Sequence, residues 1–335
     1  MHLNEIIGLL LVASQPAQLP EIDSANQTSF VQKVRYPLNV PNQIADSLSR
    51  DGFVVFCGAP ASGKSEQLEF VLPHDKTDIF DLSQAFPDAY CAATGRDRAE
   101  VQAEYSKGSR ELKKAQLEWL REHHAVLAET LKNSSSDVIV FEEIDFTGSY
   151  SLSEEEEAAL EEIVALGDIL KKAGKKVVFV IHSAGNQSVL FWGMMKQKFG
   201  TLPQQAVKTA FLTREEEEYL LSTSKLTKEE RIEFLKFSKG SPTAYLPFLK
   251  KTSLSLSELK EAALKMSGIV IQFTKQCNRS DIWDLLVSVA KGESSLEEIG
   301  NPEIIDLMMA SSFVGKKEGK LVMTEFAAEA LRSAL

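Results

Sequence analysis

Cysteine is scarce in this 335-residue chain: Cys57, Cys91 and Cys277 stand far apart. That spacing supports neither a disulfide framework nor a zinc cluster. The expectation is free thiols in a reducing, cytoplasmic compartment. With only five histidines, a histidine-based metal centre has little to draw on. Basic residues are outnumbered, 37 Lys and Arg against 48 Asp and Glu, for a formal net charge of −11. The chain as a whole therefore has no pull toward nucleic acid, although a local basic face could still exist. Long hydrophobic runs are missing too. The apolar stretch around Ile6, Ile7, Leu9, Leu10, Leu11 and Val12 is broken by Gly8 and is too short to span a bilayer. Glu5 precedes it with no Lys or Arg, unlike a secretory leader. It reads as a helix packed on the body, with residues 14–29 as a polar strap. There is no internal repeat and no low-complexity tract.

What the chain does have is a hydrophobic strand at 53–56 followed by Gly58, Ala59, Pro60, Ala61, Ser62, Gly63, Lys64 and Ser65. This is G-x-x-x-x-G-K-S, a phosphate-binding loop in the strand–turn–helix context it needs. Successive backbone N–H groups of such a loop converge on phosphate oxygens. Gly58 and Gly63 permit the tight path, Lys64 brings a mobile positive charge to the β- and γ-phosphates, and Ser65 offers a hydroxyl to Mg²⁺. ATP with Mg²⁺ is the expected ligand.

A second strand, 138–141, runs directly into Glu142 and Glu143. Carboxylates at the end of an interior strand are poorly placed unless water, metal or ligand meets them. Glu143 is the expected water-orienting residue and Glu142 the expected Mg²⁺ support, a place more often held by aspartate. Asp145 is near enough to compensate and equally suits a turn. The strand at 177–181 exits into His182 and Ser183. If that strand neighbours the acidic one, Ser183 can sense the γ-phosphate or the water.

The strands expected at 53–56, 79–82, 138–141 and 177–181, with 211–212 closing the set, are near-continuously apolar. That suits a parallel sheet covered on both faces. Helices lie between them: one from a Ser153 cap to Ala173, interrupted on its apolar side at Gly167, and a long stretch over 99–132 that could hold two. Residues 213–250 read as a small helical region. Helices are expected at 257–266, 280–291, 295–300 and 302–311, then a hairpin over 313–323 and a final helix over 324–334.

These motifs resemble the AAA+/STAND group of P-loop ATPases, especially prokaryotic ATPases related to origin-recognition proteins. The resemblance implies an α/β fold, a P-loop NTPase three-layer parallel sheet with a helical lid and a C-terminal winged-helix domain. It divides the chain into a helix and strap (1–29), an ATPase core (30–210), a lid (211–255) and a winged-helix-like unit (256–335). Gly240, Ser241 and Pro242 resemble the Gly-x-Pro element of the STAND lid, where Pro242 would contact nucleotide and couple its identity to lid position. Departures are Glu142 in place of aspartate and no clear arginine finger. Lys196, Lys198, Lys208 and Arg214 are the basic residues in that region. A ligand-gated switch therefore suits the sequence better than a ring-forming motor.

Residues 256–335 carry nine basic against twelve acidic residues, formally −3. Lys316, Lys317 and Lys320 on the hairpin would suit a DNA backbone, but the charge balance and the apolar helix around Trp283 favour a protein partner. The expected function is slow ATP hydrolysis driving a switch in protein or DNA interaction. The alternatives are a DNA-binding AAA+ loader or transposition ATPase, a small-molecule kinase, and a non-hydrolysing structural protein with a vestigial loop.

Overall fold

The computed structural model describes residues 38–58, 61–106, 109–144, 154–182, 206–250, 253–276, 280–292, 314–317 and 320–333. The expected N-terminal helix and strap and the helices at 295–300 and 302–311 lie outside these residues.

Five parallel strands form the sheet: β1 (Phe53–Gly58), β2 (Thr77–Asp81), β3 (Val138–Ile144), β4 (Lys176–His182) and β5 (Val207–Lys208), in the order β2-β3-β4-β1-β5. Alternate residues of each strand feed opposite faces, as the two-residue period requires. Phe53, Val55, Cys57, Ile139, Phe141, Phe179 and Ile181 share one core with α5 (Arg110–Lys132) and α6 (Glu154–Lys172). Val54, Phe56, Val138, Val140, Val178 and Val180 share another with α1 (Asn39–Asp51) and with Leu68 of α2 (Lys64–Leu68). Both faces being covered, the strands read as unbroken apolar runs.

Gly167 does not interrupt α6. It is where that helix crosses Phe179, whose ring stacks on Phe141 with centroids 5.4 Å apart. A Cβ on Gly167 would lie 2.3 Å from Phe179 Cζ. The stacked, buried ring has no free direction to yield, so Gly167→Ala is expected to overpack the core and destabilise the protein by about 1–3 kcal/mol. A thermal melt of wild type and variant checks this.

Between β2 and β3 the chain forms α3 (Leu82–Thr94), α4 (Arg98–Ser106) and α5. The stretch expected at 99–132 is thus two helices, and α3 is an addition. Its start is capped by Asp81, whose side chain accepts from Ser83 N at 2.9 Å, and it ends on Gly95 at φ 71°.

The fifth strand is Val207–Lys208, not the expected 211–212. Thr209 N still donates to Cys57 O, but Leu212 N then turns away to Gly240 O at 2.7 Å. Phe211 lies against the hairpin, where a Cβ on Gly315 would be 1.3 Å from its Cδ2. Both residues belong to the C-terminal helical region.

That region contains α7 (Arg214–Ser222), α8 (Lys228–Ser238), α9 (Pro242–Leu249), α10 (Leu256–Gln276), α11 (Ser280–Lys291), an antiparallel hairpin of β6 (Val314–Lys317) and β7 (Lys320–Met323), and α12 (Glu325–Ser333). Capping boxes start α7 at Thr213 and α8 at Thr227. One buried cluster runs through the whole region from Leu212 to Leu331, and it takes in Leu38 just ahead of α1. Glu216 ties the two regions at the same point: its carboxylate accepts from Thr213 N and from Asn39 N, each at 2.6 Å.

Candidate functional site

The loop begins where β1 ends, at Gly58, paired in register with His182 of β4. Gly58 has no room for a side chain. A Cβ there would lie 2.4 Å from Thr209 Oγ1 and 2.8 Å from Ser62 Oγ. Ala61 and Gly63 hold positive φ, 56° and 76°. Left-handed backbone at a non-glycine residue costs roughly 1–2 kcal/mol and persists where surrounding structure enforces it. Lys64 opens α2 with its side chain folded back over the loop, 5% exposed, Nζ donating to Gly58 O at 3.0 Å. Gln67 Nε2 donates to Ser62 O at 3.4 Å. Ser65 is exposed on the first turn of α2. The sequence-predicted Lys64, Ser65, Gly58, Ala61, Ser62 and Gly63 therefore form one compact turn; Ala59 and Pro60 lie outside the described residues.

Beneath the loop, burial pushes the Cys57 thiol up to about 11, although Lys208 and Lys64 pull the other way. The thiol stays protonated near neutrality and is inert packing.

The acidic strand lies two positions across the sheet, with β4 between β3 and β1. At the usual inter-strand spacing that places its end ~10 Å from the loop strand, leaving width for a phosphate chain and water. Glu142 is half-buried and pairs in register with Asp81 of β2. Glu143 follows within β3, and the β3–β4 register shifts between Phe141 and Ile144, the interval that holds both acids. Such irregularities re-aim side chains at the ends of strands. β4, which ends at His182, pairs with β3 on one side and with β1 on the other, so the end of β4 lies between the loop strand and the acidic strand. Ser183 and Asp145 themselves lie outside the described residues. Among the described residues no group of three or more His, Cys, Asp or Glu could hold a metal ion. A Mg²⁺ carried on phosphates needs fewer protein ligands than that, and Ser65 and Glu142 are oxygen donors of the right kind.

The sequence suggests a lid over 211–255 but not which of its residues lie on the loop. The last turn of α9 lies on Gly63, where a Cβ would be 2.8 Å from Leu249 Cδ1 and 3.5 Å from Leu246 Cδ1. Lys250 then reaches Glu66 at 3.1 Å. These contacts join residues more than 180 positions apart in sequence, and no local pattern announces them. Thr209 against Gly58 was missed for the same reason. Pro242 sits at the first position of α9, buried, with Ser241 as its N-cap. Arg214 is exposed and pairs with Glu218 on its own helix at 2.7 Å.

No family model matches the chain, and no curated protein matches it. Among solved structures it is similar to the Walker-type ATPase PABY2304 of Pyrococcus abyssi, at 13% identity, with 88% of this chain and 94% of that one covered and a TM-score of 0.51. The likeness is one of fold: a parallel sheet with flanking helices, as in a P-loop NTPase core, shared with a Walker-type ATPase.

Proposed function

We propose that the chain binds ATP with Mg²⁺ on the loop from Gly58 to Ser65 and hydrolyses it slowly, as a nucleotide-dependent switch for a protein partner. The observation that carries this reading is the loop itself: a strained turn with no room at Gly58, leaving the end of β1 with the Lys64 ammonium drawn over it. The ammonium donates to a carbonyl of its own loop, and triphosphate oxygens offer it a stronger charge-assisted bond.

In this reading Ser65 and Glu142 hold the metal. Bound Mg²⁺ supplies charge neutralisation across the phosphate oxygens. Glu143 accepts a hydrogen bond from the attacking water and sets its direction. Ser183 comes after the strand that separates the loop from the acids and would contact the γ-phosphate side. Pro242 and α9 form the lid, and the C-terminal helices with the β6–β7 hairpin form the winged-helix-like unit that presents the output surface. The shared core from Leu212 to Leu331 supports a lid and hairpin that move together. Among the described residues no helix is long and apolar enough to cross a membrane.

Calorimetric titration of the full chain with ATP and ADP, with and without Mg²⁺, tests the reading. Saturable ATP binding tightened by Mg²⁺ is expected. Heats indistinguishable from dilution at millimolar nucleotide would end it.

A further inference from the structure

The two ends of α9 differ in chemistry. Its tail carries Leu246 and Leu249 onto Gly63, beside the loop. Its head carries two hydroxyls without a hydrogen-bond partner among the described residues. Ser241 occupies the N-cap with extended backbone, φ −64° and ψ 125°, yet makes no side-chain cap bond. Its Oγ and Thr243 Oγ1 are both buried, 0% and 1% exposed by residue, and neither has a hydrogen-bond partner among the described residues. Pro242 between them has no N–H to offer.

A buried hydroxyl without a partner is destabilising, and alanine or valine would pack there at lower cost. Two such groups within three residues, at the N-terminal end of a helix whose other end meets the phosphate loop, mark a place for a polar ligand atom. Separation supports the same assignment. Seven residues at the helical rise put the head of α9 ~10 Å from Leu249, about the reach of a nucleoside beyond phosphates held at Gly63. Neighbouring groups are already committed: Tyr245 Oη donates to Glu217 Oε1 at 3.1 Å, Ser238 Oγ donates to Tyr245 Oη at 3.3 Å, and Gly240 O accepts from Leu212 N.

Resting on the nucleotide reading above, we infer that the Ser241 and Thr243 hydroxyls hydrogen-bond the nucleoside of the bound triphosphate, on a polar edge of its base or sugar. Because both are covered in the structure, the head of α9 must part from its cover for the nucleoside to enter. Contact is therefore made only when the ligand is long enough to reach the head.

The test compares wild type, S241A, T243V and the double variant by calorimetry with the magnesium complexes of ATP, 2′-deoxy-ATP, GTP and inorganic tripolyphosphate, alongside melts of the ligand-free proteins. Each lost hydrogen bond is expected to weaken ATP by roughly 3- to 10-fold, with tripolyphosphate affinity unchanged and the ligand-free Tm unchanged or raised. A loss that disappears for 2′-deoxy-ATP assigns the contact to the sugar; one that disappears for GTP assigns it to the base. Unchanged ATP affinity in the double variant overturns the inference. So does an equal fall for ATP and tripolyphosphate, which would place the effect on the loop, or a clearly lowered ligand-free Tm, which would make the hydroxyls structural. Wild type that binds tripolyphosphate but not ATP also overturns it while leaving the loop a phosphate site. Wild type that binds neither removes the nucleotide reading itself.

Discussion

Replacing Lys64 with alanine is expected to weaken ATP binding by ~30- to ~1000-fold, about 2–4 kcal/mol, while barely moving the stability of the ligand-free protein. The asymmetry comes from the difference between a bond to a neutral carbonyl and a bond to a polyanion. Nζ donates to Gly58 O at 3.0 Å from a nearly buried position. Losing that bond costs on the order of 1 kcal/mol, partly offset because a buried ammonium no longer has to be desolvated. With triphosphate, the same group faces a polyanion in a low-dielectric turn, where removing one charged partner costs several times more. Lys64→Arg is the informative companion. It keeps the charge but places a broader planar fork in a turn closed by Gly58, Ser62 and Thr209, so it should bind more weakly than wild type and more tightly than K64A. Calorimetry at fixed Mg²⁺ with parallel thermal melts separates the two effects. Equal dissociation constants for wild type and K64A would remove the loop from nucleotide binding.

The same turn explains why part of the site is legible in the sequence. A phosphate loop is specified locally: two glycines where side chains cannot fit, a lysine at fixed offset, a buried strand before it. Gly58 and Gly63 meet that description in the structure. The strand before the acids is legible for a related reason: the apolar run 138–141 reads as a buried strand, and β3 continues through Glu142 and Glu143 to Ile144. Long-range choices were hidden. Gly167 reads as a defect in an amphipathic helix until Phe179 is seen beneath it. Phe211 and Leu212 have strand-like chemistry, yet Gly315 and Gly240 draw them off the sheet. Pro87 inside α3 argues against helix locally, and the buried contacts of Phe86 outweigh it. The cover of Gly63 by Leu249 depends on residues far along the chain, and a sequence motif carries no trace of it.

The second large effect is expected at Glu143. Glu143→Gln preserves shape and one hydrogen-bonding oxygen but removes the negative charge that draws a proton from water. Phosphate release should fall by about 10²–10⁴-fold, the usual worth of a positioned general base, with ATP affinity essentially retained. Glu142→Gln should behave differently. As metal support rather than water base, it should shift the Mg²⁺ concentration needed for half-maximal ATP binding upward, and hydrolysis should recover at high Mg²⁺. The contrast matters because the two acids are adjacent on β3, in an interval where the register with β4 slips. Neighbouring residues of a regular strand point to opposite faces; the slip is what would let both serve one site at the strand end. If E142Q and E143Q lose hydrolysis alike, with neither loss relieved by Mg²⁺, the division of labour is wrong. If E143Q releases phosphate at the wild-type rate, the water is oriented by another group, and Glu143 has no part in the chemistry.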